Sequence, residues 1–127
     1  MMGPECGFCA RLAGEEQPVI DDELVAALVE TSPHAPGHCV VVPKRHVDRL
    51  ALLTDDEYER LFATVRALLS DLEAVHRPDA FTVGVNDGAA AGQSTPHVHV
   101  HVVPRHVGDV DDPRGGVRKA LPPPLDQ

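Results

Sequence analysis

The chain has no tryptophan, one tyrosine and three phenylalanines, so it offers no row of aromatic rings on which single-stranded nucleic acid could stack. It has no basic run either: the formal charge is −9 over 127 residues, the wrong sign for the counterion-releasing grip that dominates non-specific nucleic-acid affinity. No stretch approaches the roughly 18 to 20 apolar residues that span a bilayer, and Met1-Met2-Gly3-Pro4-Glu5 lacks a basic region followed by an apolar one. These absences predict a cytoplasmic protein that uses neither nucleic acid nor membrane as a partner. An anionic ligand must then be held locally, by backbone amides, histidines or a few arginines. Three cysteines, an odd number in a chain without an export signal, argue against a disulfide framework and for reduced thiols or metal ligands.

What is present fits one compact domain of 127 residues, 43% of them hydrophobic. Residues 19–30 are ambiguous between a helix and a short hairpin, with strands favoured. Ser32-Pro33-His34-Ala35-Pro36-Gly37 reads as a loop, and His38-Cys39-Val40-Val41-Val42 as a buried central strand stopped by Pro43. Thr54-Asp55-Asp56-Glu57 has the spacing of a capping box. It opens a long amphipathic helix whose apolar positions are Tyr58, Leu61, Phe62, Val65, Leu68, Leu69, Leu72 and Val75, ending near Arg77-Pro78. Phe81 to Val85 reads as a strand, Asn86-Asp87-Gly88 as a turn, and His97 to Val103 as a second strand closed by Pro104. Residues 106–127 form a polar, Gly- and Pro-rich surface tail.

His97-Val98-His99-Val100-His101-Val102-Val103 alternates strictly, which on a strand sends three imidazoles to one face and the valines to the other. One such histidine would be unremarkable surface polarity; three within five residues call for chemistry. A shared three-histidine metal site is hampered by reach, because alternate residues lie about 6.6 Å apart and His97 and His101 roughly 13 Å apart, against metal bonds near 2 Å. The other reading is nucleophilic catalysis, in which a neutral imidazole attacks phosphorus while a neighbouring histidine supplies a proton or a hydrogen bond. His99, flanked on both sides, is the natural nucleophile. Upstream, Gly92-Gln93-Ser94-Thr95 offers a glycine that admits close backbone approach, with side chains and amides able to hold a phosphate.

Cys6-Gly7-Phe8-Cys9 is a separate Cys-x-x-Cys, read as two buried thiols, a redox pair without the βαβ context it would want, or half of a tetrahedral zinc site. Cys39, inside an apolar run, reads as a buried free thiol. His34, His38, His76 and His106 read as ordinary structural histidines.

The stretch from Asn86-Asp87-Gly88 through Gly92-Gln93-Ser94 to the alternating histidines closely resembles the signature of the histidine triad (HIT) family, His-φ-His-φ-His-φ-φ with its upstream Asn and Gly-Gln-Ser. The resemblance runs back to the Ser32–His38 segment and Pro43-Lys44-Arg45-His46, and forward to Pro104-Arg105. It implies an α+β fold: a five-stranded antiparallel sheet with one long amphipathic helix and a short additional helix, usually paired as a homodimer. It implies that His99 attacks the α-phosphate of an adenine nucleotide, a phosphoramidate or dinucleoside polyphosphate, giving a nucleotidyl-histidine that water hydrolyses. Gln93, Ser94 and His101 would contact phosphate or assist the leaving group, Asn86 would orient the phosphate side, Gly92 and Thr95 would complete the loop, and Glu30 would take the place of the family's ribose-binding Asp. Similarity to the zinc-bearing bacterial type implies one structural zinc on Cys6, Cys9, His46 and His97, with residues 1–10 as its N-terminal segment; four protein ligands leave no open position for a reactive water. The competing functions are a nucleotide binder with little catalysis and a zinc-dependent hydrolase.

Overall fold

The computed structural model describes residues 6–125; residues 1–5 of the expected metal-binding segment and 126–127 of the expected tail lie outside them. Along the described residues run α1 (Gly7–Ala13), β1 (Ile20–Asp21), β2 (Val25–Val29), β3 (Cys39–Pro43), α2 (Asp55–His76), β4 (Ala80–Val85) and β5 (Val100–Arg105). The five strands form one sheet in the order β1-β2-β3-β5-β4, and every neighbouring pair is antiparallel. The expected α+β architecture is therefore present. No helix among these residues is long and apolar enough to cross a membrane.

Residues 19–30 fold as a hairpin because Asp22 closes a tight turn. Its carboxylate accepts from the Leu24 amide at 2.9 Å and its own amide donates to the Val25 carbonyl at 3.0 Å, a local use of Asp that competes with helix. α2 starts where the capping box places it, with the Glu57 amide donating to Thr54 Oγ1 and the Thr54 amide to Glu57 Oε1. It ends at Arg77 in the left-handed conformation, φ 47°, directly before Pro78.

The sheet is covered on both faces. Val25, Ala27, Cys39, Val41, Val98, Val100 and Val102 pack with Leu61, Val65, Leu68 and Leu72 of α2 in the main core. Ala26, Leu28, Val40 and Val42 point the other way, against Phe8 and Leu12 of α1. Double coverage explains why all five residues of β3 are buried, as expected for a central strand. The apolar stripe of α2 is wider than the sheet that covers it: Tyr58, Phe62 and Val75 of the expected buried set are exposed.

Two strand boundaries differ from expectation. β5 begins at Val100 rather than His97, because the chain is still turning there, the His97 amide donating to the Thr95 carbonyl and the Val98 amide to the Val47 carbonyl. Pro104 does not close β5 but lies inside it, opposite Phe81. It is tolerated because β3 accompanies β5 only as far as the Cys39–Val102 pair, leaving no β3 partner for an amide at 104. Residues 106–125 contribute no strand and no buried residue.

Candidate active site

The valine and histidine faces separate as the alternation demands. Val98, Val100 and Val102 enter the α2 core, whereas the rings of His97 and His99 lie 5.7 and 5.0 Å from the ring of Phe8 on the opposite face. Each imidazole is then given its proton position by a main-chain group whose role is fixed. His99 Nδ1 lies 2.8 Å from the His97 carbonyl oxygen; a carbonyl only accepts, so Nδ1 carries the proton and Nε2 keeps the lone pair that a nucleophile needs. His97 Nε2 lies 2.8 Å from the Pro43 carbonyl oxygen, so its proton sits on Nε2 and its lone pair on Nδ1.

His101 is reached through His38. The His34 amide donates to His38 Nδ1 at 3.1 Å, which places the His38 proton on Nε2, and Nε2 donates to His101 Nδ1 at 3.0 Å. His101 therefore carries its own proton on Nε2. Burial lowers the pKa of both His38 and His101, against the opposing pull of Glu30, which keeps the pair neutral as the relay requires. His38, for which the sequence indicates no part beyond an ordinary structural one, is thus set 3.0 Å behind His101. Gly37 keeps that loop close to the body. Its φ is +86°, and a Cβ there would come within 2.7 Å of the His76 ring.

A pocket of about 360 Å³ is lined by Phe8, Glu30, Ser94, Thr95, His99 and His101, with His34 at its wall. Burial raises the Glu30 pKa, but hydrogen bonds from the amides of Ser32 and Thr31 pull it down, and the carboxyl lies below the usual range. Glu30 faces the relay, its Oε2 3.6 Å from His101 Nδ1 and 4.0 Å from His38 Nε2. The structure does not bring Asn86, Gly92 and Gln93 into this lining. Gln93 staples its own loop, accepting from the Gly88 amide at 3.1 Å and donating to the Asp48 carbonyl at 2.9 Å. Asn86 stands beside Gly92, whose φ is +96°.

Cys6, Cys9, His46 and His97 converge, with one donor atom from each lying within 4.8 Å of all the others. Cys6 Sγ lies 3.4 Å and Cys9 Sγ 3.7 Å from His97 Nδ1, and Cys9 Sγ lies 3.2 Å from His46 Nδ1. Sulfur–nitrogen separations of about 3.5 Å are those of tetrahedral bonds of 2.3 and 2.0 Å. The nitrogen of His97 that faces the sulfurs is the one with the lone pair, and its other nitrogen donates to a carbonyl, the outer-shell arrangement of metal-bound histidines. The donor set therefore fits a zinc ion. Arg45, one residue before His46, ties this cluster to α2 by donating to Glu57 at 3.0 and 2.8 Å.

The family model of the HIT domain matches residues 12–108. The chain belongs to the HIT family. Its HIT domain is 43% identical over 90 residues to the bis(5'-nucleosyl)-tetraphosphatase (asymmetrical) of Schizosaccharomyces pombe, covering 71% of this chain and 50% of that protein. It superposes on a crystal structure from Streptococcus mutans with a TM-score of 0.77 at 33% identity, over 87% of this chain and 71% of the other. A zinc-bound histidine triad family protein of Mycobacterium smegmatis matches with a TM-score of 0.74 at 27% identity, over 91% and 89%. The chain spans about half the length of several curated relatives it matches.

Proposed function

We propose that this HIT domain is a nucleotide hydrolase or transferase that cleaves at the α-phosphate of adenine nucleotides through a covalent nucleotidyl-His99 intermediate. The observation that carries the proposal is the His99–His97 hydrogen bond at 2.8 Å, which leaves Nε2 as the attacking nitrogen in a pocket that also holds Ser94, Thr95 and His101. Nε2 forms a bond to phosphorus as the bond to the leaving group breaks and its electron pair departs with that group. The imidazolium so formed keeps its Nδ1–H on the His97 carbonyl. Water then attacks phosphorus and gives up one proton to solvent, the N–P bond breaks, its electrons return to His99, and AMP leaves.

His101 presents an Nε2–H, but the relay behind it is neutral and ends on a backbone amide, so it supplies a hydrogen bond more readily than a transferable proton. That suits a polyphosphate leaving group, which departs as an anion, better than an amine, which must be protonated. Dinucleoside polyphosphates are therefore the favoured class over phosphoramidates, in keeping with the name of the S. pombe relative. Ser94 and Thr95 hold phosphate oxygens and Glu30 the ribose side. Gln93, Asn86 and Gly92 act by shaping the loop that presents Ser94.

One zinc held by Cys6, Cys9, His46 and His97 would serve structure, tying α1 to the histidine run. β4 is an edge strand of the sheet and Tyr58 and Phe62 are exposed on α2, which supports a homodimer, checked by sedimentation. The decisive experiment incubates the protein with diadenosine tetraphosphate and an adenosine 5'-phosphoramidate, follows AMP, and quenches without acid for mass spectrometry. AMP attached to His99 is expected; no AMP, or label on another residue, overturns the reading.

A further inference from the structure

α1 carries two kinds of group on one turn. Cys6 and Cys9 face the metal cluster, and Phe8, between them, lines the pocket and lies 5.0 Å from the His99 ring and 5.7 Å from the His97 ring. A seven-residue helix has little stability of its own, since isolated helices shorter than about 12 residues are marginal. Its place is fixed by Phe8 and Leu12 against a small apolar patch, by Arg11 bonding Glu16 and the Val29 carbonyl, and by the two cysteines. Both cysteines are buried, and His46 and His97, which their sulfurs face, lie in the loops that leave β3 and lead into β5. An ion there clamps the turn, and Phe8 is carried between the ion's two sulfur ligands.

We propose that metal binding and nucleotide binding are coupled through Phe8: the ion sets the ring against His99 and so builds one wall of the nucleotide pocket, making Phe8 a positioning residue. This rests on the nucleotide reading above. Coupling between two ligands is reciprocal, so a nucleotide in the pocket must slow loss of the ion by the means through which the ion improves nucleotide binding. A cluster that served only to hold the fold together would give no role to this one side chain.

The test measures AMP affinity by calorimetry for zinc-loaded and zinc-stripped protein, and the rate at which a chromogenic chelator removes zinc with and without AMP, in wild type and in Phe8→Ala. AMP is used at the same multiple of each variant's own Kd. Stripping is expected to weaken AMP binding about tenfold in wild type, and AMP to slow zinc release by a similar factor. In Phe8→Ala both effects should fall below about threefold, and Phe8→Leu, which keeps an apolar wall, should recover most of them. If stripped protein does not stay folded, the release rates alone decide, because they are taken on loaded protein. Equal AMP affinity with and without zinc, or AMP protection undiminished in Phe8→Ala, overturns the coupling. Loaded wild type that binds no AMP overturns the nucleotide reading instead.

Discussion

Two metal-capable clusters lie at opposite ends of the histidine run among the described residues: Cys6, Cys9, His46 and His97 at one end, Glu30, His38 and His101 at the other. Each holds its donor atoms within 4.8 Å of one another, four in the first and three in the second. Their protons separate them. At the first, His97 gives its Nε2 proton to the Pro43 carbonyl and turns a lone pair to the sulfurs. At the second, the His34 amide occupies His38 Nδ1, so an ion on Nε2 would leave that imidazole with no proton at all. A metal-bound histidine donates from its other nitrogen; His97 does and His38 does not. The first cluster presents the lone pairs an ion would take and the second a hydrogen-bond chain that orients His101, and the main chain makes the distinction.

The sharpest test of this division lies between the clusters. His99→Ala should lower turnover by at least about 10³-fold while zinc content and melting temperature stay near wild type, as elemental analysis and calorimetry would show. A comparable fall in zinc would mean that the two ends are not separable. His38→Ala should reduce kcat by roughly 10- to 100-fold with zinc still at one equivalent, because it removes the donor to His101 and nothing from the sulfur cluster. Turnover equal to wild type would leave the relay without a role.

Cys9→Ser is the converse case. It should abolish zinc binding and lower the melting temperature by at least about 5 °C, with the chemical step retained in the folded fraction and the nucleotide bound more weakly. A smaller effect is expected at the brace behind the cluster. The Arg45 guanidinium, followed by the Thr54 amide, holds the Glu57 carboxyl below its usual pKa against the opposing effect of burial. A lowered carboxylate pKa contributes stability above the ordinary value of about 4.3 and loses it as pH falls through the folded value. Glu57→Gln should therefore cost about 1–2 kcal/mol at pH 7 by denaturant unfolding, and the difference should shrink progressively below pH 4. A cost independent of pH would assign it to packing rather than charge.

Much of this was legible in the chain itself, and for local reasons. The valine–histidine alternation fixed which face each imidazole takes and the Thr54–Glu57 spacing fixed the start of α2, while the HIT resemblance pointed to Glu30, Ser94, Thr95, His99 and His101, which line one pocket, and to Asn86, Gly92 and Gln93, which do not. What escaped depends on distant contacts. His38 meets His101 across 63 residues of chain, through a strand register that no local pattern encodes. α1 has too few residues for a period, so the seat of Phe8 beside His99 could not be foreseen. Gln93 carries the family's polar signature, yet its amide has complementary partners inside its own loop and beside Asp48, and those contacts place it.

The protons on His97 and His99 trace back to the Pro43 carbonyl and the His97 carbonyl. Substitution replaces side chains and leaves those groups in place wherever the backbone path survives. The side chains around His99 can therefore change while its orientation is inherited from the course of the chain rather than from a neighbour that a single codon change could remove.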